Sequence, residues 1–314
     1  MKAVVIEQPG APFILPTIAV PSPAPGEILI KVLGCGVCLF RLLRPARWIW
    51  HLPRIPEHEV IGSWSLGGKV GGGWHCGYDG TCAGCQGVNG VTRDGGRVFA
   101  FCHAEDCVLR CEAVIRIPED ADLVAYAPLM AVGPRATIGE YATCRHSCFP
   151  TIVSYSRDWR PGSSEHSVAP STSDSKRGFA MQLGATNYVD TSKRDAANEL
   201  QDMGGASLIV VTAPNAYIIS GLVGALGRLG KLLILARNSA LSWSFLSRGL
   251  KLEIGGSVHV WPAGHALDSE EAIDFAKRQG VKCMEEKFLL EMVEKAIKAL
   301  TSNAVRFRSV PVIE

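Results

Sequence analysis

Apolar and polar positions follow two different patterns along the chain. In the first part the apolar runs are short, as at 2–7 and 27–32, which predicts β-strands of an antiparallel sheet. A further strand is predicted over 106–117. From about residue 176 the pattern changes to alternating helices and strands, which predicts an α/β domain with a parallel, doubly wound sheet.

The alternating part is divided into elements by its apolar periodicity. It predicts helices over 176–183, 195–203 and 289–300, and strands over 187–189, 207–211 and 231–235. Asp268 is predicted to cap another helix, with Glu271 three residues later and Gly280 as its end. The glycine-rich stretch 224–230 is interpreted as the end of a helix that Gly230 terminates.

Two segments do not follow these patterns. Residues 203–227 carry no charge, but the turn residues 212–215 interrupt them, which predicts strand, turn and helix rather than a membrane span. Residues 144–175 are rich in Ser, Arg and Pro, a composition typical of loop or disorder.

Length and charge narrow the function classes. A chain of 314 residues predicts about two domains. The chain has 32 Lys and Arg and 30 Asp and Glu. This net charge of +2 argues against long-range electrostatic attraction of nucleic acid or anionic membranes. Residues 1–10 lack the apolar core and cleavage site of a signal peptide, so we expect a cytoplasmic protein.

The eleven cysteines suggest metal binding more than disulfides, because the cytoplasm is reducing. Cys38 follows a predicted strand, and His58 and Glu59 come about twenty residues later. A thiolate, an imidazole and a carboxylate together suit tetrahedral zinc. Each residue alone also fits a packed thiol or a satisfied loop histidine, and these interpretations stay open from the residues alone.

Several short blocks, in the same order along the chain, resemble the zinc-dependent medium-chain alcohol dehydrogenases, in particular their fungal members. They include Gly34–Cys38, His58–Gly62, Ala127–Leu129, Leu183–Ala185 and Gly264–Ile273. The resemblance covers most of the chain outside 39–54 and 140–175.

This resemblance implies a fold and an activity. It implies a GroES-like catalytic domain from 1–140 with 261–314, and a Rossmann-like cofactor domain from 141–260. Because 141–175 is aberrant, the Rossmann-like sheet is expected to lack its first strand, turn and helix. The implied reaction is zinc-dependent hydride transfer between a primary or secondary alcohol, or an aldehyde, and NAD(P). Relatives commonly form homo-oligomers.

The resemblance also implies metal ligands. Cys38 and His58 correspond to two ligands of the catalytic zinc, and Glu59 to an alternate ligand, whereas Ala131 occupies the position of the third ligand. Cys82 and Cys85 have CxxC spacing and resemble half of a structural zinc site. Four other cysteines are candidates to complete that site: Cys76, Cys102, Cys107 and Cys111.

The nucleotide site departs from the family. No GxGxxG motif, which cradles a pyrophosphate, occurs between residues 140 and 180. Ser175, Lys176 and Thr212 are the predicted cofactor contacts, and the serine and basic groups before 178 favour the 2′-phosphate of NADP.

These departures support a second hypothesis. A catalytically impaired relative would lack parts of the metal and nucleotide sites. This chain does so at Ala131, at the pair Leu39-Phe40 and at the absent glycine motif. On this alternative the chain is a catalytically impaired or mis-spliced product that acts at most as a binding or scaffold protein.

Overall fold

A computed structural model describes most of the chain, in two compact units. The described residues are 1–8, 10–38, 52–74, 102–131, 151–155, 166–182, 184–212, 215–235, 255–260, 264–279, 283–302 and 308–313. Unit 1 comprises Met1–Cys144 with Ala263–Glu314, and unit 2 comprises Arg145–Pro262.

The elements are numbered in chain order within these residues. The strands are β1 (Glu27–Gly36), β2 (Glu59–Trp64), β3 (Lys69–Gly72), β4 (Asp106–Arg110), β5 (Ile115–Ile117), β6 (Thr151–Tyr155), β7 (His166–Ser171), β8 (Asn187–Asp190), β9 (Ala206–Val211), β10 (Leu226–Ile234), β11 (Ser257–Val260), β12 (Glu285–Leu289) and β13 (Arg308–Val312). The helices are α1 (Leu123–Tyr126), α2 (Arg177–Gln182), α3 (Ala196–Asp202), α4 (Ala216–Val223), α5 (Ala266–Gln279) and α6 (Val293–Thr301).

Unit 1 is built on a seven-stranded sheet of order β12-β13-β1-β2-β3-β5, with β4 paired to β1. Alternate side chains of β1 enter the core, among them Ile28, Ile30 and Val32. β1 and β2 are antiparallel and adjacent in register, so that Gly36 lies opposite Glu59. The end of β1 therefore meets the beginning of β2, and this juxtaposition positions the candidate metal centre.

Unit 2 is built on a six-stranded sheet of order β11-β10-β9-β6-β7-β8. The pairs β9-β10, β10-β11 and β7-β8 are parallel, and the apolar faces of α3 and α4 complete its core with Leu200 and Ile219. The parallel sheet predicted for this part of the chain is thus present on both sides of β6.

The centre of this sheet differs from a parallel Rossmann sheet. β6 occupies the central position, where the first Rossmann strand belongs, but it is antiparallel to both β7 and β9. No parallel first strand followed by a helix occurs in the described residues of unit 2. The prediction of loop or disorder over 144–175 is wrong for β6 and β7. Val168 and Ala169 are buried in β7, and the surrounding polar composition hid this short apolar pair.

Several other predicted elements have different bounds. The helix predicted over 289–300 begins at Val293, after β12 and a 3₁₀ turn at Leu290–Met292. The strand over 106–117 is divided into β4 and β5 by a 3₁₀ turn at Cys111–Ala113. The predicted strand over 2–7 forms only isolated bridges. Helix α5 begins at Ala266, two residues before the predicted cap, and Asp268 instead accepts a hydrogen bond from the backbone N–H of His265 through Oδ2, at 2.9 Å.

The glycine-rich stretch 224–230 ends a helix at its first residue, Gly224, and not at Gly230 as predicted. Helix α4 ends at Val223, and β10 begins at Leu226, which pairs with Ala206. A Cβ atom on Gly205 would lie 2.5 Å from the Cα of Gly227, so these glycines permit a close approach of two backbones. The segment 203–227 accordingly contains strand β9 and helix α4. None of the helices in the described part of the chain has the length and apolar character needed to cross a bilayer.

Candidate metal centre and cofactor edge

The structure brings Cys38, His58 and Glu59 together. Cys38 lies two residues after β1, and His58 directly precedes β2, whose first residue is Glu59. One ligand atom from each side chain lies within 4.8 Å of the other two. His58 and Glu59 are buried, whereas Cys38 is partly exposed. Sulfur, nitrogen and oxygen donors that converge in this way fit a zinc ion.

Glu59 is paired with Arg308, which the sequence analysis did not identify. The guanidinium of Arg308, at the start of β13, donates a hydrogen bond to Oε2 of Glu59. Burial raises the pKa of the Glu59 carboxyl, and the charge and hydrogen bond of Arg308 oppose that rise. A Cβ atom on Gly36 would lie 2.0 Å from the same oxygen, so a larger residue there would displace this carboxylate.

A second buried carboxylate, that of Glu57, lies beside the site. Its Oε2 accepts a hydrogen bond from the backbone N–H of Cys38 at 3.0 Å and lies 3.9 Å from Nδ1 of His58. The ring of Trp74 meets the His58 ring edge-on, with centroids 4.9 Å apart. Glu57 was also missed from sequence, although a charged residue directly before two candidate ligands was a signal that could have identified it.

The position predicted for a third ligand adds no donor. Ala131 ends a 3₁₀ turn that spans Ala127–Ala131, and an alanine side chain has no atom that binds zinc. The carboxylate of Glu59 is therefore the third donor that the structure offers.

The remaining cysteines differ in their surroundings. Cys82 and Cys85 lie outside the described residues, as does Cys76. Cys102 and Cys107 pack in the hydrophobic core of unit 1 with Cys35, and burial raises the pKa of the Cys35 and Cys107 thiols. Cys111 is exposed. Cys102 and Cys107 are thus packed core thiols.

The predicted cofactor residues lie at one edge of unit 2. Ser175 and Lys176 follow β7, and Thr212 follows β9, so all three lie at the carboxyl ends of parallel strands, on either side of β6. This edge is where nucleotides bind in open α/β sheets. Lys176 is half-buried, and burial lowers the pKa of its ammonium group.

Side chains after β7 are held by local contacts. The hydroxyls of Ser173 and Ser175 are 2.8 Å apart. The guanidinium of Arg177 donates to Asp174 at 2.8 Å and lies 4.9 Å from the ring centre of Tyr188. Hydroxyl and cationic groups at this edge match the chemistry of a phosphate.

Curated relatives identify the family. Alcohol dehydrogenase patD of Penicillium expansum is 35% identical over 98% of this chain and 96% of its own length. Alcohol dehydrogenase notN of Aspergillus sp. (strain MF297-2) is 33% identical over 98% and 97%. This chain belongs to the zinc-dependent medium-chain alcohol dehydrogenases. The family resemblance and the oxidoreductase class predicted from sequence are confirmed, although no protein-family model matches the chain.

Solved structures confirm the α/β fold of this alcohol dehydrogenase. An alcohol dehydrogenase from Aeropyrum pernix has a TM-score of 0.78 at 19% identity, over 99% of this chain and 100% of its own. A CAD from Helicobacter pylori, solved in complex with NADP(H), has a TM-score of 0.72 at 17% identity, over 99% and 97%. The GroES-like and Rossmann-like fold class is therefore correct.

Proposed function

We propose that this alcohol dehydrogenase interconverts a small-molecule alcohol and its carbonyl product, with zinc in unit 1 and NADP(H) in unit 2. The observation that carries the proposal is the convergence of Cys38, His58 and Glu59. Unit 1 is assigned as the GroES-like catalytic domain, and unit 2 as the Rossmann-like cofactor domain.

The metal-binding residues have separate roles in this proposal. Cys38 supplies an anionic sulfur and His58 a neutral nitrogen, and these two hold the ion. Glu59 is the alternate ligand, because Arg308 holds its carboxylate beside the site. Bound zinc supplies a Lewis acid that polarises the oxygen of the substrate.

The cofactor assignment rests on the edge of unit 2. Ser175 and Lys176 suit the 2′-phosphate of NADP(H), since a hydroxyl and a half-buried ammonium bind phosphate oxygens, and Thr212 is the contact at β9. A nicotinamide dinucleotide supplies the acceptor or donor of hydride. The described residues contain no glycine-rich turn for the pyrophosphate. The cofactor assignment therefore rests on the residues that suit the 2′-phosphate.

Zinc content and turnover test the proposal together. The purified chain is expected to retain about one zinc per catalytic site and to oxidise members of a panel of primary and secondary alcohols with NADP⁺. Cys38→Ala should remove this zinc and lower kcat/KM by at least about 100-fold, because a Lewis acid contributes several kcal/mol to the transition state. The matched control is Cys111→Ala, which removes an exposed thiol and should change neither quantity.

A chain that binds neither zinc nor a nicotinamide dinucleotide would refute the proposed zinc and NADP(H) assignments. The alternative of a binding or scaffold protein is not favoured, because the relatives that match 98% of the chain are alcohol dehydrogenases.

Nucleotide titrations test the preference for NADP(H). Lys176→Met should weaken NADPH binding about tenfold and leave NADH binding unchanged, because a charge-assisted contact to the 2′-phosphate is lost. Lys231→Met, on the exposed side of β10, is the control for loss of a positive charge. Equal weakening of NADPH and NADH by Lys176→Met would contradict the assignment.

Two further expectations stay predictions, one from the family resemblance and one from residues 1–10. A homo-oligomer is expected, and sedimentation velocity of the purified chain measures it. A cytoplasmic location is expected, and microscopy of the tagged full chain measures it.

A further inference from the structure

Glu57 has a backbone conformation that is unfavourable for its side chain. Its φ is 76°, and among the described residues Leu229, with a φ of 55°, is the other non-glycine residue in this region. Left-handed backbone costs a non-glycine residue free energy and persists where the surroundings hold it. Glu57 directly precedes the two candidate ligands His58 and Glu59.

The contacts of the Glu57 carboxylate show what it holds. The side chain is fully buried, and its Oε2 accepts the backbone N–H of Cys38 at 3.0 Å. The same oxygen lies 3.9 Å from Nδ1 of His58. One carboxylate thus spans the segment after β1, which carries the sulfur ligand, and the segment before β2, which carries the nitrogen ligand.

We propose that Glu57 is a positioning residue of the zinc site. It accepts the backbone N–H of Cys38 and so fixes the segment that carries the sulfur ligand against the segment that carries the nitrogen ligand. The inference rests on the proposed function, because it requires that the site binds zinc.

Two substitutions separate the contributions of Glu57. Glu57→Gln keeps an oxygen acceptor for the Cys38 N–H. Glu57→Gly removes the acceptor and relieves the left-handed backbone. The matched control is Leu229→Gly, which relieves a left-handed residue in unit 2 and has no part in the metal site.

Zinc affinity of each full-length variant is measured by competition with a chromophoric chelator. The thermal midpoint of the metal-free chain reports folding, and the absorption of the Co²⁺-substituted chain reports thiolate ligation. We expect Glu57→Gly to weaken zinc 10- to 100-fold, as is typical when a group that supports a metal ligand is lost. It should also shift the Co²⁺ spectrum, although its metal-free midpoint does not fall. Glu57→Gln, which keeps the acceptor, should weaken zinc less than Glu57→Gly does. Leu229→Gly should bind zinc within twofold of the parent.

A zinc affinity of Glu57→Gly within twofold of the parent, or equal weakening of zinc by the two Glu57 variants, would overturn the inference and leave the proposed function standing. A parent chain that binds no zinc would overturn the proposed function, and this inference with it.

Discussion

At the scale of single residues, Arg308 opposes the effect of burial on the Glu59 carboxyl, whose pKa stays raised. Glu59 is buried beside the metal ligands, and the Arg308 guanidinium is its cationic partner. Removal of one partner from a buried ion pair leaves a charge without compensation, which costs far more than loss of an exposed pair.

Arg308→Met is therefore expected to lower the free energy of unfolding of the metal-free chain by about 3 kcal/mol. It should also raise the pKa of Glu59 further, since Arg308 opposes the effect of burial. Urea unfolding measures the first quantity. Lys2→Met, which removes the exposed pair of Lys2 with Glu291, should cost less than about 1 kcal/mol. Equal losses in the two variants would contradict a buried, structural role for Arg308.

The candidate metal ligands were predictable residue by residue, but their supporting residues were not. Cys38, His58 and Glu59 have side chains typical of zinc sites at a spacing that an antiparallel pair of strands brings together. Arg308 lies 249 positions from its partner, and an arginine among apolar residues near the end of the chain has no local pattern that identifies its contact. The role of Glu57 depends on a backbone angle, which composition does not reveal.

At the scale of elements, three glycines allow β9 and β10 to pair closely. Gly205 has a φ of 84°, and a Cβ atom there would lie 2.5 Å from Gly227. A Cβ atom on Gly230 would lie 2.5 Å from the carbonyl oxygen of Ala206. Both distances are shorter than real Cβ contacts, so this junction excludes any larger residue.

Gly205→Ala is expected to lower the free energy of unfolding by at least about 2 kcal/mol, because the added methyl group meets backbone and the left-handed angle disfavours alanine. Gly178→Ala is the matched control in the same unit. Gly178 is exposed within α2, with nothing within 4 Å of an added Cβ atom, so alanine there should stabilise the chain by about 0.5–1 kcal/mol. Denaturant unfolding of both variants measures these changes. An unchanged free energy of unfolding in Gly205→Ala would show that the backbones at Gly205 and Gly227 are farther apart.

Elements with strong local signals were predicted well, and those defined by packing were not. Helix α3 was expected from its apolar face and has Asp195 as its cap, within one residue of the predicted bounds. The junction of α4 and β10 was misplaced because glycines that end helices and glycines that permit close strand pairing look alike in a sequence. β6 was missed because its pairing with β9 joins residues about sixty positions apart.

At the scale of the whole molecule, His103 makes stability depend on pH. It is fully buried in unit 1, and burial lowers the pKa of its imidazole to about 3. In the unfolded chain the imidazole has its ordinary pKa of about 6.5. Below that pH the unfolded chain binds a proton that the folded chain excludes, so the stabilisation is complete above pH 6.5 and is lost as the pH falls towards 3.

The contribution of His103 should lower the free energy of unfolding by up to about 1.4 kcal/mol for each pH unit below 6.5. Urea unfolding of the parent and of His103→Gln at pH 7.5, 6.5 and 5.5 measures this loss. The free energy of unfolding should decline less steeply with falling pH in the variant than in the parent. His259→Gln, which replaces an exposed histidine, should decline like the parent. Parallel declines for the parent and His103→Gln would exclude this histidine as the source.

The orientation of β6 also has a consequence for redesign of cofactor preference. Thr151, the first residue of β6, pairs with Val211 at the carboxyl end of β9, while Tyr155, its last residue, pairs with His166 at the beginning of β7. The chain thus enters β6 at the nucleotide edge and leaves it at the opposite edge. Protein engineers who wish to exchange one dinucleotide for another should therefore randomise Ser173–Arg177, at the edge proposed to bind the nucleotide, rather than Tyr155, which lies at the opposite edge.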